Sequence, residues 1–233
     1  MSRSAPLALC LAAALFAGGS RAQSFCSSDG QPRPLALMER FINADCDSCW
    51  ADPATPRPGP RELAIDWVVP GGKGEDAPLA VVASRDALPR LQALGRAVPT
   101  AGHTAQHKLV AAARTLRVAH GLPFNDYIGT SIELKPAGRA PWTAWLLLVE
   151  TLPPGTEGSP VERNLVRNAF QPDWSLRRPP TQAQQKRLME SRPMAIPEGA
   201  QAERLRVVGW VEDARGRIRA IAQSRCAPLP AGQ

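Results

Sequence analysis

Cys46-Asp47-Ser48-Cys49 is the part of this sequence most directly suited to chemistry. Two cysteines separated by two residues can close a local disulfide, exchange it with another thiol, or clamp a metal. The pair follows the apolar run Leu35-Ala36-Leu37-Met38 and Phe41-Ile42, which reads as a buried strand. A pair at the end of a strand reads as a redox motif in which Cys46 attacks and Cys49 resolves the mixed disulfide. Exchange needs a thiolate, normally favoured by a helix N-terminus and by nearby positive charge. Here Asp45, Asp47 and Asp52 oppose a thiolate, and Pro53, Pro56, Pro58 and Pro60 limit any helix that starts at the cysteines. The expectation is a poor oxidant that leans toward reductase or isomerase behaviour. The other reading is a permanent staple that braces the turn.

Other candidates are fewer. Trp50 offers an apolar platform for a partner peptide, or is plain core. His103 and His107 are four apart and, with Cys46 and Cys49, would make a Cys2His2 set, but the spacing fits no zinc motif, so no metal is assigned. Neither Gly-x-Ser-x-Gly nor a P-loop occurs. No cofactor is expected. Trp142 and Trp145, three apart, should point to opposite faces of a strand, one into the core and one exposed or at an interface.

The compartment sets the terms for these cysteines. Arg3, the apolar run from Pro6 to Ala17 and Ser20-Arg21-Ala22 have the three parts of a secretion signal cut after Ala22. The reading is therefore a periplasmic or secreted protein of residues 23–233, with no membrane span. Cys10 lies inside the leader, which leaves Cys26, Cys46, Cys49 and Cys226. Four cysteines in an oxidising compartment allow three connectivities. The favoured one is Cys46–Cys49 with Cys26–Cys226, the latter a structural bridge worth about 4–5 kcal/mol in the chain-entropy model. The net charge is +7, spread along the chain, and removal of Arg3 and Arg21 lowers it by two. An exported chain without a nucleic-acid motif is not expected to bind nucleic acid. The expected partner is a protein thiol or disulfide.

The elements that position the pair are legible in outline. Glu62–Val69 reads as a second strand, ended by Pro70-Gly71-Gly72. Leu88, Leu91 and Leu94 have helical spacing after Ser84, with Gly95 as terminator. Gln106 to His120 reads as a strand hairpin. Strand-like runs follow at Tyr127–Leu134, Trp142–Thr151, Val161–Phe170, Leu205–Glu212 and Arg217–Gln223, with a helix expected over Gln182–Ser191. The boundary between two domains is placed at Gly121 to Asn125.

Met38-Glu39-Arg40-Phe41, the stretch Ala44 to Cys49, Ala51-Asp52 and Arg163-Asn164-Leu165-Val166-Arg167 resemble segments of a family of secreted bacterial proteins of unknown function. Its members carry a thioredoxin-like domain followed by a small β-sandwich. The resemblance implies an α+β protein: a thioredoxin-like α/β domain over residues 23–122 and an antiparallel β-sandwich over 123–233. It also has departures. The proline run replaces the long helix after the cysteines. The family's Thr-Pro-Gln, which carries a cis-proline opposite the pair, is here Thr104-Ala105-Gln106, with Val98-Pro99-Thr100 as the displaced substitute. Trp50 directly follows the second cysteine.

Overall fold

A computed structural model describes residues 26–110, 113–139, 141–175 and 179–226. The expected leader and its expected cut after Ala22 lie outside them. The fold is predominantly β, built from two sheets.

The larger sheet has seven strands: β2 (Ala36–Asn43), β3 (Glu62–Val69), β4 (Gly102–Lys108), β7 (Thr143–Leu152), β8 (Arg163–Phe170), β10 (Leu205–Glu212) and β11 (Ile218–Gln223). Their spatial order is β11-β10-β7-β8-β3-β2-β4. β2 and β3 run parallel in full register, and β3 meets β8 in parallel where Asp66 faces Leu165. The smaller sheet contains β1 (Cys26–Ser27), β5 (Thr115–Phe124), β6 (Tyr127–Lys135), β9 (Leu188–Ala195) and β12 (Arg225–Cys226), ordered β12-β1-β5-β6-β9 and antiparallel throughout.

Burial follows from this layering. β6 alternates buried and exposed residues, as a strand with one covered face must. β2, β3 and β7 are buried almost along their whole length, because both faces of the large sheet are covered there. On one face, Leu146, Leu148, Val207 and Ala220 pack against Val118, Ile132 and Leu134 of the small sheet. Gly209 on β10 is required at this contact: a Cβ there would sit 2.8 Å from a Val118 methyl and 3.1 Å from Ile132. On the other face, Phe41, Ile65, Trp67, Trp145 and Trp210 lie with Ala87 and Leu91 of α2 (Ala87–Ala93). Trp142 and Trp145 do enter cores on opposite faces, and both are buried.

The expected thioredoxin-like α/β unit followed by a separate sandwich is not what forms. β2, β3 and β4 complete the sheet of β7, β8, β10 and β11, while β1 and β5 join the other sheet. The Gly121–Asn125 stretch lies within the β5–β6 hairpin. The physical reason lies in the helices. A parallel α/β sheet needs helices long enough to cover both faces. Here α1 (Asp47–Trp50) is one turn before the prolines remove backbone donors, and α2 spans only seven residues. The second sheet covers what helices do not. The helix expected over Gln182–Ser191 is likewise short: α3 (Gln182–Lys186) has a Thr181/Gln184 capping box, and from Leu188 the chain pairs with β6 as β9 instead.

Candidate functional site

The cysteine pair sits where β2 leaves the large sheet. The Asn43 side chain organises the exit: its Oδ1 accepts from the Asp45 N–H at 2.8 Å, and its Nδ2 donates to the Pro99 carbonyl at 2.7 Å. Asp45 turns away from the cysteines and accepts N–H bonds from Gly72 at 2.7 Å and Lys73 at 3.2 Å. A Cβ at Gly71 would overlap that carboxylate at 2.3 Å, which explains the glycine. Cys46 precedes the single turn of α1, and its N–H donates to Asn43 O; the Cys49 N–H donates to Cys46 O. The two cysteines are joined to each other, half-buried, with Cα atoms 5.3 Å apart. The Ser48 hydroxyl is 3.6 Å from Cys46 Sγ.

Beneath the turn lies a buried ionic cluster. Arg163 of β8 is fully buried. Its Nη2 donates to Trp50 O at 2.8 Å, Cys49 O at 3.4 Å and Thr55 Oγ1 at 3.1 Å, and its Nη1 to Asp66 Oδ1 at 3.1 Å. Arg40 binds the other Asp66 oxygen at 2.6 Å, and the Asn164 N–H adds a bond at 2.7 Å. Burial pushes the Arg163 guanidinium below its usual range, against the pull of Asp66. It remains a cation at any ordinary pH. A cleft of about 290 Å³ opens beside the cluster, lined by Cys49, Asp52, Thr55, Thr104, Arg40 and Arg163 among others.

Trp50 is buried, stacks under the Arg163 guanidinium at 4.9 Å and donates its indole N–H to Glu157 O at 2.7 Å. Cys26 and Cys226 form the second disulfide, bridging β1 to β12. His103 and His107 lie on β4, and His107 Nε2 is 3.1 Å from Glu39 Oε2. With Cys46 bonded to Cys49, these four residues do not assemble into a metal site. Thr104 and Ala105 are ordinary edge-strand residues paired with Arg40 and Glu39.

Buried charge clusters were missed in the sequence. Besides Asp66 with its two arginines, Arg90 of α2 is clamped between Glu39 and Glu212 at 2.6 and 2.7 Å, over the faces of Trp145 and Trp210. Burial alone would raise the Glu39 carboxyl, but Arg90 and His107 overcome it and hold the group below the usual carboxylate range. The signal was present: Glu39-Arg40 and Asp66 interrupt strands that are otherwise apolar. A charge inside a run covered on both faces must be paired.

Compared with protein-family models, with curated proteins and with solved structures, the chain matches none. The fold and site define a predominantly β protein with two disulfides, which is compatible with an oxidising compartment. Among the described residues no helix is long and apolar enough to cross a membrane.

Proposed function

We propose that this is an exported protein whose Cys46–Cys49 disulfide exchanges slowly with protein thiols, while Cys26–Cys226 is the structural bridge, the later of the two to open. The observation that carries this reading is the contrast in setting: Cys46–Cys49 closes one turn beside an open cleft, whereas Cys26–Cys226 ties two strands of a sheet. The bridges have sequence separations of 3 and 200. In the chain-entropy model these are worth about 2 and about 5 kcal/mol respectively. Loop length sets what each bridge adds to folding stability, because it acts on the unfolded chain; in the folded protein the order of opening is set by access and local restraint, and Cys46–Cys49 should open first. Cys46 and Cys49 are both half-buried, and Cys49 borders a cleft; in the other bridge Cys26 is fully buried and Cys226 is exposed.

In the reducing direction the reduced Cys46 thiolate attacks a partner disulfide and releases one partner thiolate. Cys49 then attacks the mixed disulfide, releases the second thiolate and closes Cys46–Cys49. The rate should be low. One helical turn provides little dipole, and Arg163 is already committed to Asp66 and to backbone carbonyls. Those same bonds favour a second reading, a binding or scaffold protein in which the pair only braces the turn.

Trapping separates the two. With a disulfide-bearing peptide, Cys49→Ser should accumulate a mixed disulfide through Cys46, and Cys46→Ser should accumulate much less. No adduct in either variant would leave the scaffold reading.

A further inference from the structure

The first strand of the small sheet places three metal-ligating residues abreast. Cys26 on β1 faces Cys226 on β12 and His120 on β5, in one transverse row across the sheet. Directly opposed side chains on adjacent strands share a face and lie within contact distance. The ligand atoms of all three are within 4.8 Å of one another, and among the described residues this is the one grouping of Cys, His and acidic side chains that could hold a metal ion.

His120 supplies a second, independent observation. It is 5% exposed, and its Nδ1 is 2.9 Å from the Gly121 carbonyl. A carbonyl only accepts, so Nδ1 carries the proton and Nε2 presents its lone pair. That Nε2 is buried and has no hydrogen-bond partner among the described residues. A buried imidazole nitrogen without a partner is costly. A backbone carbonyl on the opposite ring nitrogen is also the usual arrangement for orienting a metal-ligating histidine.

We infer that Cys26, Cys226 and His120 form a redox-gated site for a thiophilic divalent cation, zinc above all. With the disulfide closed the sulfurs are spent on each other and the site is shut. A dithiol reductant opens it: the dithiol is oxidised to its own disulfide, and Cys26–Cys226 takes up two electrons and two protons. Zinc then replaces the two thiol protons, which leave to solvent. Once the S–S bond is broken the sulfurs move apart toward van der Waals contact, about 3.8 Å, which is the edge of a tetrahedron with Zn–S bonds of ~2.3 Å. His120 Nε2 takes a third vertex, and the fourth stays open to water. Gly121 O holds the ring in place. Loss of the covalent tie between β1 and β12 would thus be exchanged for a metal tie between the same strands.

The test uses a chain of residues 23–233 carrying Cys46→Ser and Cys49→Ser, so that only one cysteine pair remains. After reduction with a phosphine, Zn2+ is titrated against a chromophoric chelator, and Co2+ is added separately as a spectroscopic probe. The expected result is one Zn2+ per chain, with thiolate-to-cobalt charge-transfer absorption, and no comparable binding to the oxidised protein. His120→Asn should weaken Zn2+ binding at least tenfold in the same background. If the reduced chain unfolds, Zn2+ should restore its native tryptophan fluorescence, and should fail to do so in His120→Asn. Equal affinity in His120→Asn, equal binding to the oxidised protein, or a reduced chain that neither binds nor refolds with Zn2+ would each overturn the proposal.

Discussion

Cys26–Cys226 ties two-residue strands at the two ends of the described chain, whereas Cys46–Cys49 closes a single turn that the rest of the molecule already holds. The contact between β1 and β12 rests on the bond and on the pairing of β1 with β5. β1 and β12 are too short to persist on their own pairing, and the bridge between them excludes most of the freedom of the unfolded chain. The Cys46–Cys49 turn owes its shape to non-covalent groups: Asn43 and Asp45 on one side, Arg163 below, and Trp50 anchored to Glu157. A disulfide matters to stability in proportion to what the chain would otherwise be free to do. Its availability for chemistry in the folded protein is set separately, by access and local restraint.

The largest expected effect breaks this comparison at its strong end. Replacing both Cys26 and Cys226 by Ser should lower unfolding stability by about 5 kcal/mol, against about 2 kcal/mol for the Cys46→Ser, Cys49→Ser pair. Guanidinium unfolding curves of the two variants, with the slope checked for changes in the denatured state, measure the difference. Equal losses would mean that loop length is not what separates the bridges.

Arg163→Met tests the non-covalent clamp. It removes a buried cation and the bonds to Cys49 O, Trp50 O and Thr55, and should cost about 3 kcal/mol. It should also make Cys46–Cys49 easier to reduce while leaving Cys26–Cys226 unchanged. A stability loss with no change in the reduction of either bridge would show that Arg163 supports the sheet and not the turn.

Glu39 provides a control on the far face of the large sheet. Its folded carboxyl is held below the ordinary range, so the unfolded chain takes up the proton first as pH falls. The sign follows: this contribution is complete above the unfolded pKa, about 4.3, and is lost as pH falls from there through the folded value. Thermal unfolding of Glu39→Gln should show a flatter acid limb below that pH than the parent, with the order in which the two bridges open unaltered. The smallest effect is expected from Trp50→Phe, which keeps the buried ring and loses the indole bond to Glu157 O. A cost of about 1 kcal/mol is expected in chemical denaturation.

Strands with strong alternation or long apolar runs were legible from sequence. Glu62–Val69 and Leu205–Glu212 have the expected bounds, and the first strand is displaced by one residue. Gly95, with φ of +63°, ends α2 as a helix-terminating glycine does. The disulfide pairing was legible too. The sheet partners were not, because local pattern reports that a face is buried and not which element covers it. A strand-CxxC-strand order matched a familiar α/β arrangement, and only the proline run argued that the covering helix was missing. β9 was hidden because Gln182 to Lys186 is a capped helical turn and its partner β6 lies more than fifty residues away in sequence. At the site, Cys46 and Cys49 were found from spacing, while Arg40, Asp66 and Arg163 were not, since their pairing exists only once β2, β3 and β8 lie side by side. The local aspartates also misled: Asp45 and Asp52 spend their carboxylates on the N–H groups of Gly72 and Ala54.

The most direct test of the account is the order in which the bridges open. A chain of residues 23–233 would be equilibrated across glutathione buffers, alkylated, and each cysteine assigned by peptide mass spectrometry. The account predicts that Cys46–Cys49 reduces first, within roughly −120 to −270 mV, with Cys26–Cys226 opening at a lower potential. Simultaneous opening, the reverse order, or a Cys46–Cys49 bond that stays closed well below about −300 mV would contradict it.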